Sequence, residues 1–300
     1  MPPRLGLLTV HDAPSYGGVL QAYALSRVLG EIMQSEIIDY DNPRIRREGR
    51  VVRFTPGARG VARGGFDVFN VSRRKRMLDR FESFRETHYT GRSARVGRQE
   101  LAELGKGYQA LVVGSDQVWN PECVGRSGRL DPSYFLDFGA MDQRLTAYAA
   151  SCGDHRFTVG EVEVVAPLLE RFSAISVREE VAREQLEGMG LGTIPVVPDP
   201  TLLLERAQWS RLARLAEPVA PGGLPYVLCY IMGSGRAKAS RLTNVLRRDF
   251  GSDMIVISPN NPTIWKGPWT NRVTGVGPLE MLRLIRDASI VVSDSFHVTL

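Results

Sequence analysis

One feature limits this chain more than any other: short strand-like runs alternate with stretches that carry apolar residues at helical spacing. The runs are Leu5–Val10, Glu36–Asp39, Ala110–Val113, Leu145–Ser151, Ala174–Val177 and Ile194–Val197. The helical stretches are Val19–Leu29 with Gly30 as its stop, Arg73–Arg85 with Met77, Phe81 and Phe84 on one face, Glu161–Arg171 and Arg178–Glu187. Strands separated by helices predict an α/β fold with a parallel sheet. Residues 41–70 are rich in Arg, Gly and Pro and predict a loop or lid, within a basic insertion over 41–100. Residues 217–225 concentrate proline and glycine and read as a linker. The pattern then restarts: strand Tyr226–Ile231, turn Gly233-Ser234-Gly235, helix Arg236–Arg248, strand Met254–Ile257, helix Pro278–Arg286 and strand Ser289–Val292. The expectation is two Rossmann-like domains facing a cleft, one over residues 1–216 and one over 226–300. The second has few strands for such a sheet, and the strand before His297 should lead into a helix and further strands. It therefore reads as truncated, the chain being a shortened form.

Composition narrows the function classes. No apolar run approaches the roughly 18–20 residues of a membrane span. The three cysteines, Cys123, Cys152 and Cys229, lack CxxC spacing, as expected in a reducing cytoplasm. The net charge is +5, but residues 41–100 alone hold 16 basic and 7 acidic side chains, and the remainder carries a net −4. Such a segment is either a solvated helix face or an attractor of anions: phosphorylated substrates, anionic lipid or nucleic acid. The sequence has neither zinc-finger spacing nor a basic stripe interleaved with aromatics, which argues against nucleic acid. The four histidines (His11, His88, His155 and His297) are scattered without ligand spacing, so no metal is expected.

Ligands of open parallel sheets bind outside the carboxyl ends of the strands. That rule selects His11-Asp12, Gly114-Ser115-Asp116, Ser151-Cys152-Gly153, Arg178, Asp199, Gly233-Ser234-Gly235 and Asp294-Ser295-Phe296-His297. His297 follows a strand and begins a helix; it is either a proton donor in the field of a helix N-terminus or a packed side chain. Arg178 either clamps a carboxylate or phosphate, or pairs with Glu179 or Glu180. Tyr16-Gly17-Gly18 joins a strand to a helix, where glycines allow close approach of an anion. Gly233-Ser234-Gly235 is a weaker phosphate cradle. Asp116 is a base or substrate orienter, or else a turn cap. Trp119 is a sugar platform or core. Cys152 is a conceivable nucleophile without a supporting His–acid pattern beyond Asp154 and His155.

Six segments in order resemble the polysaccharide pyruvyl transferase family. They are residues 15–25 (SYGGVLQAYAL), 113–119 (VGSDQVW), 147–151 (AYAAS), 175–179 (ISVRE), 199–204 (DPTLLL) and 293–297 (SDSFH). The form resembled is a bacterial DSFH-type member, short at its C-terminal end. The resemblance implies a glycosyltransferase-B-like architecture and transfer of pyruvate from phosphoenolpyruvate to a sugar, forming a ketal on a cell-surface polysaccharide or exopolysaccharide precursor. It implies phosphoenolpyruvate as co-substrate with no other cofactor. The acceptor would be a sugar, nucleotide-sugar or lipid-linked saccharide, and the setting cytoplasmic, with peripheral membrane contact at the inner face compatible with the basic segment. His297 fits the family's phosphoenolpyruvate-contacting histidine and Arg178 its Ser-Val-Arg arginine. Relatives often carry Arg-Leu-His where Ser295-Phe296-His297 stands, so one arginine is absent or supplied from elsewhere; the usual following glycine is Val298. The expected catalytic residues are His297 and Asp116. Those expected to bind substrate are Arg178, Tyr16, Gly17, Gly18, Ser115, Ser151, Ser295, Gly233, Ser234 and Gly235. Alternatives are a nucleotide-sugar glycosyltransferase of the same architecture and a non-catalytic relative acting as a binding subunit.

Overall fold

The computed structural model describes residues 3–53, 57–125, 128–219, 225–232, 245, 248, 253–257 and 270–300. The chain divides into two compact units. The first comprises Met1–Arg53 and Arg85–Leu203, the second Phe54–Phe84 and Leu204–Leu300.

The first unit is built on a five-stranded parallel sheet. Its strands are β1 (Arg4–Leu8), β2 (Gln34–Ile37), β3 (Ala110–Val113), β4 (Arg144–Ala150) and β5 (Ala174–Val177), in the order β2-β1-β3-β4-β5. Parallel strands are covered on both faces, so β3 and, after Arg4, β1 are without polar side chains and are buried along most of their length. Helix α1 (Tyr16–Ile32) follows β1 and is capped by Ser15, whose Oγ accepts from the Gly18 amide at 3.3 Å. Helices α7 (Val159–Leu169) and α8 (Glu180–Gly188) complete the later crossovers, and a Thr158–Glu161 capping box starts α7. Trp119 lies in the core: it is fully buried, stacks on Phe135 at 5.5 Å and donates Nε1–H to the Tyr134 carbonyl at 2.9 Å.

Two expectations fail here for local reasons. Residues 41–70 are not a loop: they hold α2 (Pro43–Glu48) and α3 (Ala58–Phe69). Asn42 starts α2 by accepting from the Arg44 and Ile45 amides, with Pro43 at the first helical position. Ile194–Val197 is not a strand but a single bridge, Val177 to Val196. Pro195 and Pro198 carry no amide hydrogen, so the pairing cannot extend.

The second unit carries a parallel sheet in the order β8-β7-β6-β9, from β6 (Tyr226–Tyr230), β7 (Asp253–Ile257), β8 (Thr270–Arg272) and β9 (Ile290–Ser293). β8 is polar and escaped the apolar-run criterion. Val227 and Cys229 form the centre of its core with Ile290 and Val292. Helix α9 (Arg206–Ala213) packs on the helix Pro278–Asp287, here α10. The expected helix 236–248 and the turn at residues 233–235 lie largely outside the described residues. The boundary between units falls at Leu203/Leu204, ahead of the expected linker at 217–225, and residues 54–84 group with the second unit. Arg80 of α4 (Val71–His88) gives the reason: it donates to the Gly275 carbonyl at 2.7 Å and pairs with Glu280 at 3.3 Å.

A buried charge network braces the loop between β1 and α1. The ring nitrogens of His11 face the Thr9 carbonyl at 3.2 Å and Asp39 Oδ1 at 3.3 Å. Arg95 bridges Asp39 at 3.1 Å and Asp12 at 2.7 Å, Arg85 reaches Asp12 at 3.4 Å, and Tyr89 donates to the His11 carbonyl at 3.2 Å. Burial alone would raise the Asp39 carboxyl; the hydrogen bonds and charges of His11 and Arg95 outweigh it and bring it down from 3.8 to about 2.

Two outcomes follow. Because the folded Asp39 is the stronger acid, its stabilisation of about 2 kcal/mol is complete above its unfolded value and is lost as pH falls through about 2. Asp39→Asn therefore lowers the urea midpoint at pH 7, and the gap to the parent closes between pH 4 and 2 in a pH series of urea unfolding curves. Gly114 has φ 114°, and a Cβ there would sit 2.2 Å from the Tyr148 carbonyl oxygen. Gly114→Ala is expected to cost more than about 2 kcal/mol, read in the same unfolding assay.

Candidate active site

The sheet order of the first unit reverses between β1 and β3, which is where open α/β sheets hold their ligands. Five segments meet at that rim: the end of β1, the N-terminus of α1, the loop after β3, the end of β4 and the end of β5. Gln21 ties the first three. Its side chain is fully buried and donates to Thr9 Oγ1 at 2.8 Å, the Gly18 carbonyl at 3.0 Å and the Val10 carbonyl at 3.2 Å, while its Oε1 accepts from the Ser115 amide at 3.2 Å. Gly17 and Gly18 form the first turn of α1. A Cβ on Gly18 would lie 3.2 Å from the Val10 carbonyl and 3.4 Å from Asp116 Oδ2, so the bare glycine leaves the space that the carboxylate occupies.

Asp116 is aimed by its backbone. Its φ is 67°, its Oδ1 accepts from the Gln117 amide at 2.9 Å, and its carbonyl takes the Ser151 amide at 3.1 Å. The carboxylate is partly open to solvent beside the α1 N-terminus, whose dipole favours negative charge. β4 contributes an irregularity in register between Ala147 and Ala150, with Ala149 at φ 48°; such bulges re-aim backbone beside sites.

Arg178 was expected either to clamp an anionic ligand group or to pair with Glu179 or Glu180, and in the structure it lies among the protein's own carboxylates. Its guanidinium, 7% exposed, donates to Asp199 Oδ2 at 2.9 Å and lies 3.7 Å from Asp116 and 3.8 Å from Glu179. Asp199 is itself fully buried. Its Oδ2 also takes the Ser115 hydroxyl at 3.3 Å, and its Oδ1 takes the Thr201 amide and hydroxyl at 3.0 and 2.8 Å.

The other expected residues divide. Ser115 and Ser151 are buried and engaged: Ser115 Oγ donates to the Ala149 carbonyl at 2.8 Å, and Ser151 Oγ accepts from the Gly153 amide at 3.1 Å. Both brace the rim, and Tyr16 is buried in the first turn of α1. Cys152 is a poor nucleophile, because burial and then Glu179 push its thiol up to about 12. Gly233, Ser234 and Gly235 lie outside the described residues. His297 and Ser295 belong to the second unit. There the sheet order reverses between β6 and β9, and the Met232 amide donates to Asp294 Oδ1 at 2.6 Å, joining the two strand ends. Ser295 caps the short helix Phe296–Thr299, here α11, and the His297 ring meets Phe296 edge-on at 5.3 Å. Gln21 and Asp199 carry the rim. Asp199 is among the residues selected at strand ends and Gln21 lies in the family-like segment 15–25, but neither was assigned a catalytic or binding role. Among the described residues, no group of three His, Cys, Asp or Glu side chains could hold a metal ion, and no helix is long and apolar enough to cross a membrane.

No curated protein matches this chain. Among solved structures, the UDP-GlcNAc 2-epimerase from Neisseria meningitidis bound to UDP-GlcNAc is 11% identical with a TM-score of 0.52, over 98% of this chain and 78% of that one. The UDP-GlcNAc 2-epimerase from Methanocaldococcus jannaschii is 15% identical with a TM-score of 0.48, over 99% and 80%. The first likeness bears on the fold alone and agrees with the expected class, two Rossmann-like α/β units in one chain. The family model for polysaccharide pyruvyl transferase matches residues 16–300, from the first turn of α1 to the end of α11, and the chain belongs to that family.

Proposed function

We propose that this chain transfers pyruvate from phosphoenolpyruvate to two hydroxyls of a saccharide in a cell-envelope polysaccharide or glycolipid precursor. The observation that supports this best is the family match over residues 16–300, together with an aimed, solvent-facing carboxylate at the rim of the first unit. The chemistry balances without a redox partner. A proton adds to the methylene carbon of phosphoenolpyruvate, leaving an oxocarbenium-like centre at C2. One hydroxyl oxygen bonds to C2 and gives up its proton. The C2–O bond to phosphate breaks, phosphate leaves, and the second hydroxyl closes the ketal with loss of its proton.

The roles assigned are these. Asp116 accepts the proton of an attacking hydroxyl. Arg178 acts through Asp116: its guanidinium, anchored on Asp199 and 3.7 Å from Asp116, keeps that carboxylate aimed. His297, in the family's histidine position, supplies the proton to the methylene carbon. Gly18 leaves room for the Asp116 carboxylate beside α1. We infer a cytoplasmic setting at the inner membrane face; the three cysteines are all unpaired, as in a reducing compartment.

The test is incubation of the purified protein with phosphoenolpyruvate and a panel of saccharide acceptors, including nucleotide- and lipid-linked ones. The expected result is release of inorganic phosphate and an acceptor heavier by pyruvate less water. Consumption of UDP- or GDP-sugars with no use of phosphoenolpyruvate would contradict the reading. Asp116→Asn and His297→Ala are each expected to lower kcat by about 10²–10⁴-fold, and Cys152→Ala to leave kcat within about threefold, since a thiol raised to about 12 carries no step.

A further inference from the structure

Helix α3 is built inside out. Its buried positions are Gly60, Gly64 and Asp67, which share one side of the helix. Three of its four larger apolar side chains face solvent instead, Val61 being 61% exposed, Val68 52% and Phe69 90%, while Phe66 is half-buried. A surface helix ordinarily does the opposite, because apolar area gains by leaving water. Val61 and Val68 lie two turns apart on one face. Phe69 is next to them, and the exposed Val71 opens α4 directly after. The first two turns of α4 then present Arg73, Lys75 and Arg76, all exposed. Residues 58–76 hold six basic side chains and one acidic one, and the acid, Asp67, is buried. Lys75 meets Asp79 at 2.8 Å, but both are exposed, and such a pair yields readily to a competing anion.

We propose that this face is a docking surface for an anionic lipid bilayer. Phe69, Val68 and Val71 would enter the boundary between headgroups and acyl chains, and Arg73, Lys75 and Arg76 would meet lipid phosphates. The argument is complementarity: an apolar centre beside a positive flank matches an interface that is apolar within and negative at its surface. An acidic protein or a nucleic acid would answer the charges and leave the apolar centre in water. The inference deepens the proposed setting at the inner membrane face. Its test needs no turnover, so its failure and the failure of the pyruvyl-transfer reading are distinguishable.

The full chain is sedimented with vesicles of phosphatidylcholine alone and of phosphatidylcholine with phosphatidylglycerol. Binding is expected only to the anionic vesicles, weakening as salt rises. Phe69→Ser, and separately Arg73→Glu with Lys75→Glu, should each weaken it by about tenfold or more. Ile32→Ser, a change at an exposed apolar residue of the first unit, should leave it unchanged. All variants are surface changes, and their folding is to be checked by circular dichroism before the assay. Equal binding to neutral vesicles, binding to neither, or variants that bind like the parent would each overturn the proposal. So would binding to an oligonucleotide without vesicle binding, or a concentration-dependent dimer that Phe69→Ser abolishes.

Discussion

A carboxylate sealed from water must find its donors where it sits, and in this protein that carboxylate is Asp199. Three side chains and one amide converge on its two oxygens: Arg178 at the end of β5, the Ser115 hydroxyl after β3, and both groups of Thr201. Leaving such a charge unpaired costs several kcal/mol, so these segments hold one mutual arrangement. Asp116 inherits its position from that requirement. It follows Ser115 directly, turns outward at positive φ and faces the guanidinium that Asp199 anchors. The ion network thus fixes where a partly open carboxylate sits beside the first turn of α1, which is the arrangement the proposed proton transfer needs.

The same logic of sheet order operates in both units. In each, neighbouring strands run off in opposite directions from a reversal point, and the family-like segments collect there: residues 15–25 and 113–119 in the first, 293–297 in the second. The reversal opens a gap in the layer of crossover helices at the carboxyl edge. Residues placed there can serve chemistry while the strands behind them remain apolar and packed. Gln21 and the His11–Asp39 network stiffen this edge from opposite sides of α1's entry loop.

What the sequence disclosed, and what it withheld, follows from the range of the interactions. β3 and β5 were legible to the residue because β3 is an unbroken apolar run and β5 is interrupted only by Ser176. β8, with the sequence Thr-Asn-Arg, carries no such mark, and α2 was hidden by a composition that reads as loop although Asn42-Pro43 is a good helix start. The strand-end rule selected Asp116 and Arg178, but the partners that define their roles lie far along the chain. Ser115 meets Asp199 across 84 residues and Gln21 across 94, and Arg95 meets Asp39 across 56. No local pattern encodes such pairs. For that reason the sequence left Arg178 open between a ligand clamp and an ion pair with Glu179 or Glu180, and its contacts with Asp199 and Asp116 could not be read from it.

The central claim is that Arg178 works through Asp116 and not on the ligand directly. A double-mutant cycle tests it most directly, with kcat for pyruvyl transfer measured in the parent, Arg178→Gln, Asp116→Asn and the double variant, each confirmed folded. If Arg178 only aims Asp116, each single change lowers kcat and the double variant is no slower than Asp116→Asn. If the two losses multiply, or if Arg178→Gln raises KM for phosphoenolpyruvate with kcat unchanged, Arg178 contacts the ligand in its own right and the account is contradicted.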